Sequence, residues 1–352
     1  MSDTATASDE APANPDRSLP APGPVAGLFA LYLLTILGGV ALSGPFETAG
    51  VQTFEDPGNV ANVGLIFAEI VVITVLFILI TRYGYGLRVL RVLVLGVFGY
   101  ATYLAVFGSG LPASEVLGAV LGTAVFVALL VHPEWYVIDA AAVVAGAAII
   151  AQFGNGLGPL PALIFLVGMA VYDAYAVYVS EHMQQLGGGV GELRLPMMYV
   201  VPPSLLFSME DMGNPFDAEG DDPDGADGSD DPDGEKSAME DPESEASENR
   251  DESAGRETPI LLGLGDAIVP GLLAVSAGQF LPAEPLIAGT IVNAPALGAI
   301  IGSAVGLAGL LGLLYAIERA HAGLPVLNAC VILGYLAGAV AAGVPIATAL
   351  GL

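Results

Sequence analysis

Nine apolar runs, each long enough to cross a bilayer, constrain this chain more than anything else in it. A spanning helix needs roughly 20 predominantly apolar residues. Such runs fall at about 25–43, 62–81, 87–108, 113–131, 136–154, 159–183, 259–280, 288–316 and 324–350. In lipid a spanning segment must satisfy its own backbone, so the runs predict an all-α membrane protein with nine transmembrane helices. The connectors between the third, fourth and fifth runs are short, which makes those helices antiparallel neighbours.

Composition agrees only once charge is located. The chain is 54% hydrophobic yet carries a formal net charge of −28, and its mean hydropathy is +0.70. The charge is segregated: residues 209–258 hold 20 Asp and Glu against three basic residues. Four regions follow: a disordered acidic N-terminus (1–24), helices 1–6 (25–183), a loop (184–258) that is acidic and disordered from about 209, and helices 7–9 (259–352). The acidic excess fits a protein of a salt-rich cytoplasm, where screening removes carboxylate repulsion. An EF-hand beginning at Asp222 fails because Ala226 occupies the fifth ligand position. Cys330 is the sole cysteine, so it forms no intrachain disulfide. The N-terminus has no basic leader ahead of its first apolar run, which reads as a permanent span.

Basic residues set the expected orientation. With the N-terminus inside, Arg17, Arg82, Arg88, Arg91, Arg194, Lys236, Arg250, Arg256 and Arg319 all fall on or beside cytoplasmic segments. One miscounted span would scatter them. The large loop is then cytoplasmic and the C-terminus extracellular. The sole lysine, Lys236, lies in that polar loop; a retinal protein, which needs an intramembrane lysine, is excluded.

Ionisable residues inside a membrane are expensive and mark function or pairing. Arg88, Arg91 and Glu115 lie near span ends and can snorkel. Asp139 lies a few residues inside its span and reads as wetted. Glu69 is deeper, and reads equally as a buried hydrogen-bonded residue or a functional acid. Asp173 and Asp266 differ, because they sit on consecutive spans at matching depth, roughly 12–15 Å from the cytoplasmic end. Two carboxylates a few ångströms apart share one proton. The ionised member can activate a water held between them while the protonated one polarises a peptide carbonyl. Gly263 and Gly265 clear side chains from around Asp266, allowing close backbone approach.

Tyr172-Asp173 in the sixth span, Gly263-Leu264-Gly265-Asp266 in the seventh and a large hydrophilic loop between them resemble the presenilin and signal peptide peptidase family of intramembrane aspartyl proteases. The run from Leu262 to Gly271 is especially similar to the signal peptide peptidase branch, whereas the inside N-terminus matches presenilin topology. With the acidic excess, the resemblance is to an archaeal presenilin-like member from a halophile. It implies a presenilin-like fold and an aspartic endopeptidase that cuts transmembrane segments or signal-peptide remnants with Asp173 and Asp266. Tyr172, Gly263, Leu264 and Gly265 would support the site. The family's Pro-Ala-Leu mark, at the start of its ninth span, corresponds to Pro325-Val326-Leu327. Pro295-Ala296-Leu297 has the letters but the wrong place. Residues 193–208 resemble the segment that follows the sixth span in the family; they read either as an interfacial segment or as a strand that pairs with unwound substrate. No metal or organic cofactor, nucleic acid or obligatory subunit is implied; the partners are the bilayer and substrate helices. The rival reading is a transporter or channel that couples protons or cations through the same acids.

Overall fold

The computed structural model describes residues 22–82, 86–178, 196–204, 206–209, 259–316 and 323–352. Six helices come first: α1 (Pro22–Thr48), α2 (Ala61–Arg82), α3 (Gly86–Phe107), α4 (Ser114–Val131), α5 (Trp135–Gly156) and α6 (Pro159–Tyr178). Two short strands follow, β1 (Met198–Val201) and β2 (Ile260–Gly263). Helices α7 (Leu264–Phe280), α8 (Ala294–Ala316), α9 (Gly323–Ala341) and the single turn α10 (Ile346–Ala349) complete the chain. Among the described residues eight helices are long and apolar enough to cross a membrane, and α7 is a shorter apolar helix of 17 residues. Of the expected disordered regions, residues 1–24 and the acidic loop from about 209, residues 1–21 and 210–258 lie outside the described residues, whereas Pro22–Pro24 open α1 and so are helical.

Helix α7 can be short because protein rather than lipid surrounds it. It packs against α1, α5, α6, α8 and α9, and its residues from Val269 to Ala277 are all buried. Helix α5 is its closest companion and has an Ala- and Gly-rich buried face. A Cβ at Gly154 would lie 2.5 Å from Val275 Cβ, and one at Gly271 would lie 2.6 Å from Ile150 Cδ1. These small residues let the two helices approach closely, as small residues do in membrane interfaces. Helix α2 is the opposite case, packing chiefly against α3 and α6 and exposing most of its surface. Glu69 lies on that exposed surface, so of its two readings the buried hydrogen-bonded one does not hold.

Three boundaries differ from the apolar runs. The eighth helix begins at Ala294 rather than 288, because Asn293 Oδ1 accepts the Ala296 amide at 2.9 Å and caps the helix there. The ninth run stops at Ala341, where Gly343 turns the chain with φ +72°. The seventh run opens as strand: Ile260–Gly263 pairs antiparallel with β1 in the register Met198↔Gly263, Tyr199↔Leu262, Val200↔Leu261, Val201↔Ile260. The Leu264 amide extends the pairing to Met197 O at 2.9 Å. Among the described residues the fold is therefore helical apart from one two-stranded sheet at the end of the bundle where α5, α7 and α9 begin. The segment expected to be interfacial or to pair with substrate pairs instead with the chain's own residues 260–263.

Candidate active site

The strand-to-helix switch places Asp266. Gly263 ends β2 and, with φ −60° and ψ 135°, is the last extended residue before α7. Asp266 is the third residue of that helix, shallower within its helix than the apolar run implied. A Cβ at Gly263 would stand 3.4 Å from Asp266 Oδ2, whereas one at Gly265 would meet nothing within 4 Å. Among the described residues no neighbouring helix fills the room the two glycines leave, and Gly263 and Gly265 are both exposed. Leu264 between them points into the core at 5% exposure.

Asp173 arrives from the other side, five residues before the described end of α6. Its Oδ2 accepts the Leu324 amide at 3.0 Å. Leu324 is the second residue of α9, so this amide belongs to a helix N-terminus, whose first N–H groups lack intrahelical partners and favour a carboxylate. One turn on, Asn328 Nδ2 donates to Leu166 O at 2.8 Å, a second tie between α6 and α9. The carboxylates of Asp173 and Asp266 are near enough to interact electrostatically, and both are half-buried.

Pro325, Val326 and Leu327 form the first turn of α9, directly after the amide that holds Asp173. Leu327 is fully buried, and its Cα would lie 3.1 Å from a Cβ at Gly306. Pro295 sits near Gly338, against which its Cα would stand 2.9 Å from an added Cβ. Leu327 and Gly338 are 11 residues apart on one helix, or about 16 Å at the helical rise. The second Pro-Ala-Leu is thus remote from the acids. Tyr172 is exposed on α6.

Sequence reasoning missed the support beneath β1. Asp139 is 4% exposed rather than wetted, and its Oδ1 accepts the Val200 amide at 2.8 Å. The Tyr199 hydroxyl lies 2.7 Å from Thr35 Oγ1 on α1. Burial holds the Tyr199 phenol above its ordinary range, so it stays protonated as a hydrogen-bonding group. The only signal for this support was an acid one turn into the fifth span, and distance along a helix does not reveal which other segment covers it.

Opposed carboxylates at one end of a membrane bundle, with open space beside one of them, suit an aspartyl protease that works within the bilayer. Comparison with known proteins establishes that class and its family. Residues 29–344 match the family described as signal-peptide peptidase, presenilin aspartyl protease, and the chain belongs to that family. It is similar to the structure of a presenilin family intramembrane aspartate protease in a C222 space group, with 27% identity and a TM-score of 0.59. That match covers 91% of this chain and 100% of the other. A P2 form of such a protease gives 27% identity and a TM-score of 0.57, over 91% and 98% of the two chains. No curated protein matches the chain at a significant level. The chain is a multi-pass membrane enzyme, an intramembrane aspartyl protease of the presenilin type.

Proposed function

We propose that Asp173 and Asp266 form the catalytic dyad and hydrolyse a peptide bond within a transmembrane segment, using a water held between them. The observation that carries this reading is their convergence: α6, α7 and α9 bring the two carboxylates within electrostatic reach, with open space at Gly265. The ionised member takes a proton from the water, which attacks the carbonyl carbon; the protonated member donates to the carbonyl oxygen. Collapse of the tetrahedral species breaks the C–N bond, and the amine leaves with a proton from the dyad. The Leu324 amide steadies Asp173 throughout, while Pro325, Val326 and Leu327 fix the helix turn that presents it. Tyr172, exposed beside Asp173, faces the side from which a substrate helix approaches.

A helix hides its peptide bonds, so the substrate has to unwind near the dyad and its freed backbone groups need partners. Strand alternation turns the Leu261 and Gly263 backbone groups away from β1. No strand covers that edge among the described residues. The outer edge of β1, by contrast, gives its Val200 amide to Asp139. An unwound substrate therefore adds to β2 rather than to β1, three residues from Asp266. The distribution of basic residues supports a cytoplasmic N-terminus and strand end, with the C-terminus outside. Substrates with an outside N-terminus then run antiparallel to α7.

Purified protein in detergent, where no ion gradient exists, should cut a transmembrane peptide at bonds inside its apolar segment, read by product masses. Intact peptide under conditions that preserve the folded enzyme would reject the reading and return the acids to ion coupling. In vesicles, of two substrates with the same sequence and opposite topology, the one with its N-terminus outside should be preferred. Replacing Leu324 by proline tests the Asp173 contact, because the first turn of a helix accepts proline while the donor disappears. We expect kcat to fall roughly tenfold, the cost of about 1.4 kcal/mol for a charge-assisted bond. Unchanged turnover in L324P would remove that amide from the mechanism.

A further inference from the structure

Asp139 is a carboxyl buried in a helix bundle with one evident use. It is the fifth residue of α5, its Oδ1 accepts the Val200 amide at 2.8 Å, and its Oδ2 is buried without a hydrogen-bond partner among the described residues. Burying such a group is costly unless it satisfies another polar group. The group it satisfies lies on the outer edge of β1. Without Asp139 that amide would face α5 unpaired, since the alternation of an antiparallel pair turns it away from β2.

The same end of α5 grips the chain that follows β1. Trp135 Nε1 donates to Phe207 O at 3.1 Å. Glu134 accepts from the Ser208 hydroxyl at 3.1 Å and from the Met209 amide at 3.2 Å. From α1, Thr35 holds the Tyr199 hydroxyl. Tyr199 pairs with Leu262 and Val200 with Leu261, so whatever fixes β1 also fixes β2, and Asp266 follows three residues after β2 ends.

We propose that Asp139 is a positioning residue for cleavage: by fastening β1 to α5 it holds β2, its open edge and Asp266 in register with Asp173. This rests on the dyad reading above. The work is done by an acceptor oxygen, which asparagine also supplies. Leucine fills the space of the side chain and supplies none.

The test uses the full chain in detergent with a transmembrane peptide substrate, comparing wild type, D139N, D139L and D266A. For D139L we expect kcat/KM to fall roughly tenfold or more, the scale of an unpaired buried donor. Its products should spread over neighbouring bonds, because a loosened strand slips register. Amide exchange over residues 198–201 should accelerate. D139N should keep wild-type product masses, wild-type protection and activity within about threefold, for it retains the acceptor. Wild-type rate and sites in D139L would overturn the proposal, as would D139N behaving like D139L. Lost activity in D139L with unchanged product sites and unchanged exchange would also overturn it, since that marks only less folded enzyme. Continued cleavage by D266A sinks the dyad reading instead; the exchange comparison still decides whether Asp139 holds the strand.

Discussion

Alanine at either Asp173 or Asp266 should lower cleavage by roughly 10³-fold or more, and the double variant should be no worse than either single one. Each carboxylate has a separate task in the same step, one taking the proton of the water and the other protonating the carbonyl oxygen. Removing one leaves the other without its counterpart, so the losses do not add. Folding should survive, because both groups are half-buried and Asp266 holds no other helix through a hydrogen bond among the described residues. Asp173→Ala frees the Leu324 amide, a cost of about 1–3 kcal/mol set against the whole bundle. Initial rates with product masses measure the outcome. Additive losses would mean two independent groups rather than a dyad.

The second large effect concerns the helix that supports Asp173. Helices α8 and α9 meet through glycines with almost no separation. A Cβ at Gly298 would lie 2.1 Å from the Gly334 carbonyl oxygen, and one at Gly334 would lie 2.2 Å from that of Gly298. The obstacle is backbone, so no side-chain rotation relieves it, and the helices must part. Gly298→Ala or Gly334→Ala should cost about 2–3 kcal/mol, the upper range for overpacking, and should reduce cleavage because α9 carries Leu324 and Pro325. Gly312 provides the control: it lies in the same helix, and an added Cβ meets nothing within 4 Å. Gly312→Ala should hold stability or gain up to about 1 kcal/mol from better helix propensity. Thermal unfolding in detergent compares the three. Equal midpoints would show that the glycine contact is not limiting.

The spans were legible because lipid demands long apolar runs, and the acids stood out because charge in such runs is rare. The family motifs then joined Tyr172-Asp173 with Gly263-Leu264-Gly265-Asp266. Three features were not legible, each for a local reason. Ile260-Leu261-Leu262-Gly263 read as helix because a short apolar stretch has no periodicity that separates helix from buried strand. Its partner, Met198–Val201, lies 59 residues away across the acidic loop, and nothing local announces the pairing. Asp139 read as wetted because its depth was counted along one helix, whereas a strand from elsewhere covers it. The buried reading of Glu69 fell for the opposite reason, since depth along α2 says nothing about which face the residue occupies. Val326, in place of alanine in the Pro-Ala-Leu mark, lies on a partly exposed face of α9, in the turn that follows the Leu324 amide at Asp173.

In the proposed reaction Asp173 and Asp266 act together on one tetrahedral centre. Binding of a peptide isostere whose hydroxyl mimics that centre tests it most directly, measured in detergent on wild type, Asp173→Asn and Asp266→Asn. Asparagine keeps the shape of each side chain and removes the shared proton. Wild type should bind the isostere and each variant should bind it roughly 100-fold or more weakly, as expected when a transition-state contact is lost. Equal affinity across the three proteins would contradict it.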